Sequence, residues 1–263
     1  MLNFSIGVIT DSLRTDPLKA LDQAAKLGVQ GIQVSVYKGD MTPQNWKPEQ
    51  RRQYLRRVKD HGLVISALCG SLSHAFDQNT VDTELIDQAK RTVALANDLE
   101  TGIITTHIGV IPQNPAEPRY QIMQKELAEL ASFAWKAGVR FAIETGPEPA
   151  ETLKKFLDSL PSDGFAVNLD PANLVMLMGE DPVQAVFTLK NYIVHTHAKD
   201  GRRTKNGYAE YPLGEGAVDF PRYLKALNEI GYRGFLTIER EAGEEPYQEV
   251  QHAVQFLKQQ LNK

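Results

Sequence analysis

The sequence predicts a (β/α)8 barrel, a single α/β domain over residues 1–263. Three observations predict it. Short β-rich runs alternate with amphipathic, helix-like segments from end to end. The runs number eight of each kind. No Gly-rich phosphate loop follows the first strand, where Ile9-Thr10-Asp11-Ser12 stands instead, so a doubly wound open sheet is the second choice.

The elements follow in order. Residues 4–10 form the first strand, without the basic start or long apolar core of a signal peptide. Asp16-Pro17 places a capping acid before a proline and opens a helix over 17–27, which Gly28 stops. A strand at 31–36 leads to a helix at 48–61, ended by Gly62. The third and fourth strands are 63–70 and 102–109, with a helix at 82–99 between them. A helix at 119–137 halts at Gly138, before a strand at 140–145 and a helix at 150–160. The sixth strand is 165–170, and Asp181-Pro182 opens the helix 181–189. The seventh strand, 192–199, runs into a long loop, 201–216. A helix at 219–230 ends at Gly231, and a strand at 234–240 and a helix at 246–260 complete the count.

Composition narrows the class of protein. A hydrophobic fraction of 42% is ordinary for a globular chain and ample for a large core. The net charge of −4 argues against a nucleic-acid binder, which carries a basic face. A single cysteine, Cys69, excludes an intrachain disulfide framework and fits a reducing, cytoplasmic setting. No run approaches the ~18 apolar residues of a membrane span. Composition therefore points to no nucleic acid and no membrane as partner.

Catalytic residues of such barrels lie at the C-terminal ends of the strands. Four successive strands end in a side chain able to bind a metal: "FAIET" with Glu144, "AVNLD" with Asp170, "VHTHAKD" with His197 and "LTIER" with Glu239. Side chains alternate faces along a strand. Ile143, Leu169 and Ile238 would then face the helices, while Ala142, Asn168, His195 and Thr237 share the inward face with the four ligands. One such acid is commonplace. Four in succession at the same end predict a shared divalent-metal site. His195 and His197 point the same way, so the pair by itself reads equally as ligands or as ordinary strand-end hydrogen-bonders.

The ordered set "AIET", "NLDPANL", "HTHAKD", "GEGAVDF" and "EIGYRGFLTIERE" resembles the xylose isomerase-like TIM-barrel superfamily over the whole chain. That group holds sugar isomerases, ketose 3-epimerases, inosose dehydratases and isomerases, and abasic-site endonucleases. The resemblance implies that Glu144, Asp170, His197 and Glu239 hold one divalent ion, manganese before magnesium, cobalt or zinc. It prefers His197 over His195 as ligand, because the ligand histidine typically precedes an x-Lys-Asp tail; His195 then supports from below. The sequence also departs from the pattern. Asn173 stands where ketose 3-epimerases have a substrate-contacting histidine, and Arg203, or equally Arg202, matches their arginine. Their acid after the first glutamate has no clear equivalent, with Glu148 and Glu151 only flanking it. Asn173 also removes a histidine that the trinuclear endonucleases need, and no Asp-x-His pair follows the seventh strand.

The resemblance implies a sugar or sugar-phosphate isomerase or epimerase of the ketose 3-epimerase type, passing through an ene-diolate. Inversion at carbon needs two acid/base groups, and Glu144 and Glu239 flank a shared metal suitably. An inosose-type dehydratase is the alternative; an abasic-site endonuclease and a non-catalytic sugar-binding barrel rank lower. His107, inward with Thr105, and His74, after the third strand, are candidates for substrate hydroxyls or structural histidines. Lys199 shares the inward side of His197 and either polarises a substrate oxygen or pairs with an acid. The basic loop 201–216, with Arg202, Arg203 and Lys205, either takes a substrate phosphate or is solvated. Tyr37 and Trp46 either wall a sugar or pack their loop. His61 and His252 read as surface residues, and a homodimer is the family-level expectation.

Overall fold

The computed structural model describes residues 2–76 and 80–262. Eight parallel strands close into a barrel: β1 (Ser5–Ile9), β2 (Gly31–Ser35), β3 (Val64–Cys69), β4 (Ile103–Thr106), β5 (Arg140–Glu144), β6 (Phe165–Leu169), β7 (Ile193–Ala198) and β10 (Phe235–Ile238). The eighth barrel strand is β10 because an antiparallel hairpin, β8 (Asp200–Thr204) and β9 (Gly207–Tyr211), intervenes. Neighbours run in chain order around the ring, and β1 closes it on β10.

The helices outside the barrel are α1 (Pro17–Leu27), α2 (Pro48–Asp60), α3 (Thr83–Asp98), α4 (Pro118–Lys136), α5 (Ala150–Asp158), α7 (Pro182–Thr188), α8 (Phe220–Glu229) and α9 (Pro246–Leu261), with a three-residue α6 (Pro171–Asn173) after β6. The expected punctuation operates. Asp16 accepts from the Lys19 amide at 2.9 Å at the start of α1, and Gly28 closes it at φ +70°. All eight expected helices and strands form, with most ends moved by no more than a few residues.

Two segments differ from expectation. The stretch 201–216 is not a plain loop: its first half is the β8–β9 hairpin, turned over Lys205-Asn206 and closed by Gly207 at φ +134°. After Asp170 the chain does not run straight to α7 but makes α6 and a π-helical turn, Leu174–Met178.

Barrel closure decides which residues meet. Ile143, Leu169 and Ile238 are buried against the helix layer. Register pairs Glu144 with Asn168, Asn168 with His195, and Thr237 with His197, so inward residues of adjacent strands lie level. The floor carries Phe235; a Cβ on Gly31 would lie 2.5 Å from its ring, so a larger residue there would have to displace the ring. Among the described residues, no helix is long and apolar enough to cross a membrane.

Candidate metal centre and its cavity

Glu144 at the end of β5, Asp170 just past β6, His197 in β7 and Glu239 just past β10 each offer a ligand atom, and these atoms lie within 4.8 Å of one another. His197 Nδ1 sits amid the three carboxylates, 3.6 Å from Glu144 Oε2, 3.6 Å from Asp170 Oδ2 and 3.1 Å from Glu239 Oε2. Glu144, Asp170 and His197 are buried, and Glu239 is the partly exposed member.

The donors suit a divalent cation. Asp170 Oδ1 caps α6, accepting from the Ala172 and Asn173 amides at 2.8 and 3.0 Å, while the buried Oδ2 has no hydrogen-bond partner. A buried carboxylate oxygen left so is costly without a cation. Three carboxylates and one imidazole form an oxygen-and-nitrogen set appropriate to manganese, magnesium, cobalt or zinc.

A hydrogen-bonded layer below orients the ligands. Gln33 Oε1 accepts from His197 Nε2 at 3.2 Å, and Gln33 Nε2 donates to Thr105 Oγ1 at 3.1 Å. With its proton on Nε2, His197 turns the Nδ1 lone pair to the cluster. Asn168 Nδ2 donates to Glu144 Oε2 at 3.3 Å, and its Oδ1 accepts from His195 Nδ1 at 3.1 Å. Thr237 Oγ1 completes the chain at 3.1 Å from His195 Nε2. Burial, with the neighbouring His197 charge, holds the His195 pKa far below the usual histidine value, so it is neutral. The structure thus separates the two histidines: one faces the cluster and the other lies beneath it.

The electrostatics follow from this packing. Burial opposes charge on His197, yet Glu144 and Glu239 outweigh it and raise its pKa well above normal. A proton and a divalent cation therefore compete for Nδ1. Burial pushes Asp170 up to about 6. Burial also works against the charge on Glu239, but His197 and Lys199 prevail and hold its carboxyl low.

Above the cluster opens a cavity of about 440 Å³. Its walls come from the loops after β1, β2 and β3, from His107, and from Glu239-Arg240-Glu241. His107 is half exposed on the wall, with Nε2 3.7 Å from Glu144 Oε2. Lys199 is buried between two acids, its Nζ 3.2 Å from Glu239 Oε2 and 2.7 Å from Glu241 Oε2. Asn173 donates to Glu144 Oε1 at 2.9 Å and so braces the glutamate from behind. Arg203 lies on the exposed hairpin, 3.5 Å from the Leu177 carbonyl, and outside the cavity lining; Arg202 stacks on Tyr211. His74 is exposed and also outside the lining. Tyr37 lines the cavity, whereas Trp46 is buried edge-on against Tyr54.

Several participants were not singled out from the sequence. Gln33 is one, though a lone amide within the apolar run Ile32–Val34 was a readable signal. Arg14 also lines the mouth, and nothing in its local pattern marks it; Glu241, beside it, belongs to the acidic run that follows the last strand.

Comparison with known proteins agrees with this architecture. The family described as xylose isomerase-like TIM barrel matches residues 21–260. An L-ribulose-5-phosphate 3-epimerase of Escherichia coli is 27% identical, covering 94% of this chain and 90% of that protein. A putative L-ribulose-5-phosphate 3-epimerase of Haemophilus influenzae is 24% identical over 92% of this chain and 91% of its own length. A xylose isomerase domain protein from Planctomyces limnophilus superposes with a TM-score of 0.84 at 24% identity, covering 98% of this chain and 97% of that one.

Proposed function

The chain belongs to the xylose isomerase-like TIM-barrel family, and on that premise we propose that it is a divalent-metal-dependent sugar epimerase of the ketose 3-epimerase type. The observation that carries this reading is the convergence of Glu144 and Glu239, from strands three apart around a ring of eight, on one buried cluster beneath an open cavity. The curated relatives, named as epimerases acting beside a ketose carbonyl, support it.

Glu144, Asp170, His197 and Glu239 would hold the ion, manganese first. When bound, it supplies Lewis-acid stabilisation of the negative charge that develops on the substrate's carbonyl oxygen. The proton is the protein's task. One glutamate removes it from the carbon beside the carbonyl, leaving the ene-diolate, and the other returns a proton to the opposite face. In the reverse reaction the two exchange roles. A positioned base of this kind contributes ~100- to 10,000-fold. Asn168 and Asn173 hold Glu144 in place, and Lys199 holds Glu239 ionised and ready to accept. His107, on the wall beside Glu144, is placed to hydrogen-bond a substrate hydroxyl.

Deuterium incorporation from heavy water into a panel of ketoses, with manganese present, tests the reading. Exchange at the inverted carbon is expected, and it should fall at least ~100-fold in Glu144→Gln and in Glu239→Gln. Full exchange in either variant would remove the two-carboxylate assignment. Loss of water from the product would reassign the chemistry to a lyase.

A further inference from the structure

Of the four cluster residues only Glu239 is partly exposed, and the chain leaves the barrel directly after it. Its own amide still donates to the Ala198 carbonyl of β7 at 3.2 Å. The next two amides leave the sheet. That of Arg240 donates to Ser12 Oγ at 3.0 Å, and that of Glu241 donates to Glu210, 3.1 Å from Oε1 and 3.3 Å from Oε2. The buried Arg240 guanidinium also turns to Glu210, at 2.6 Å, with Glu249 of α9 at 3.0 Å on its other side. One carboxylate, its side chain only 10% exposed, therefore fixes both the backbone and the side chain just beyond Glu239. Arg14 grips the far side of the segment through the carbonyls of Glu241, Ala242 and Gly243, but it is exposed and meets neutral groups there.

Glu210 belongs to the β8–β9 hairpin, which takes no part in the barrel sheet and lies mostly at the surface. The base of that hairpin is firmly tied. The Gly201 and Val218 amides donate to Asp200 Oδ1 at 2.8 and 3.1 Å, and the Gly214 and Gly216 amides donate to Asp200 Oδ2 at 3.0 Å each. Asp200 is 1% exposed, and a Cβ on Gly216 would fall 2.0 Å from Oδ1, so a side chain there would displace the carboxylate. These bonds join the first residue of the hairpin to the loop that returns from it. On the cavity side, Glu241 Oε2 takes Lys199 Nζ at 2.7 Å, and the same Nζ lies 3.2 Å from Glu239 Oε2. Glu210 thus reaches Glu239 by two routes, along the backbone and through Glu241 and Lys199.

We propose that Glu210 is a positioning residue and that the hairpin is a strut that aims Glu239 into the cluster. This rests on the cluster being the metal site proposed above.

Manganese titration by calorimetry and amide hydrogen exchange, both on the full chain, test it with Glu210→Ala and Glu249→Ala. The second variant removes the other partner of Arg240 and leaves the Glu241 amide held. In Glu210→Ala, exchange of the amides over 240–243 should quicken at least about tenfold. Manganese affinity should fall about 10- to 100-fold in that variant, and Glu249→Ala should keep the wild-type affinity. A merely stabilising role would lower the urea midpoint of both variants and the affinity of neither. Wild-type affinity in Glu210→Ala, an equal loss in Glu249→Ala, or unchanged exchange over 240–243 overturns the proposal. Glu210→Gln keeps the volume and one acceptor oxygen; it should show the same two changes to a smaller degree, and it carries the test if the alanine variant does not fold. A wild-type chain that binds none of manganese, magnesium, cobalt or zinc defeats the metal reading alone, and exchange over 240–243 then decides for or against the strut.

Discussion

Replacing Glu148 with glutamine should stabilise the protein increasingly as pH rises. Glu148 lies in the loop between β5 and α5 and is 4% exposed. Its Oε2 accepts from the Ile111 amide at 3.4 Å, and its Oε1 has no hydrogen-bond partner. Burial pushes its pKa from the ordinary 4.5 up to about 7, with the Ile111 amide opposing only weakly. Between those two values the folded state keeps a proton that the unfolded chain releases, so wild-type stability falls as pH rises through the window. The window spans roughly 2.5 pH units, and each is worth about 1.4 kcal/mol, so the ionised group costs about 3 kcal/mol at alkaline pH. Glutamine stays neutral throughout. Urea unfolding followed by circular dichroism should show the gap between Glu148→Gln and wild type widening by about 3 kcal/mol from about pH 4 to about pH 9. With a slope near 3 kcal/mol/M, that is a midpoint shift of about 1 M urea. Titration of the buried Glu144, Asp170, His197 and Glu239 cluster occurs in both proteins and cancels in the difference. A gap that stays constant with pH would refute the reasoning, because a purely steric or hydrogen-bonding effect carries no such slope.

Two further outcomes follow from the same geometry. Gln33→Leu removes the acceptor that fixes His197, and manganese affinity measured by calorimetry should fall about 10- to 100-fold with the fold intact; undiminished affinity would show that the layer below does not orient the ligand. Asp200→Asn turns an amide N–H₂ toward backbone donors, and chemical unfolding should show a loss of about 2–4 kcal/mol; an unchanged midpoint would mean that the four amides do not depend on the charge.

The barrel was legible because its signals are local and repeated. Asp16-Pro17, Asp181-Pro182 and Gly28 act within a few residues of themselves, and alternation alone sorts Ile143 from Glu144. The four candidate ligands were legible for the same reason, each being a strand end. Their partners were not. Gln33 meets His197 only because the ring closes across its interior, a contact with no trace in either local pattern. Asn173 sits in the position of a substrate contact in the resembling family, yet capping by Asp170 winds α6 tightly enough to return its amide to Glu144. The hairpin has only a weak local signature, because its two-residue turn, Lys205-Asn206, lies among basic residues that also suit a solvated loop. Arg203 accordingly lies on an exposed ribbon, away from the cavity.

Alternation along β7 and its extension divides the work of the site among residues two apart. His195 supports Asn168 from below, His197 faces the three carboxylates, and Lys199 pairs with Glu239 above. Asp200, one residue on and so on the other side, leaves the cavity and gathers four amides. A slip of one residue would put Thr196 or Ala198 in the cluster and swing the Asp200 charge towards the substrate. Ligand, brace and internal anion therefore form one unit that sequence change must preserve together. Glu144 and Glu239 turn into the cluster, while Asp200, the acid closest in sequence to its histidine, is turned away and held by four backbone amides.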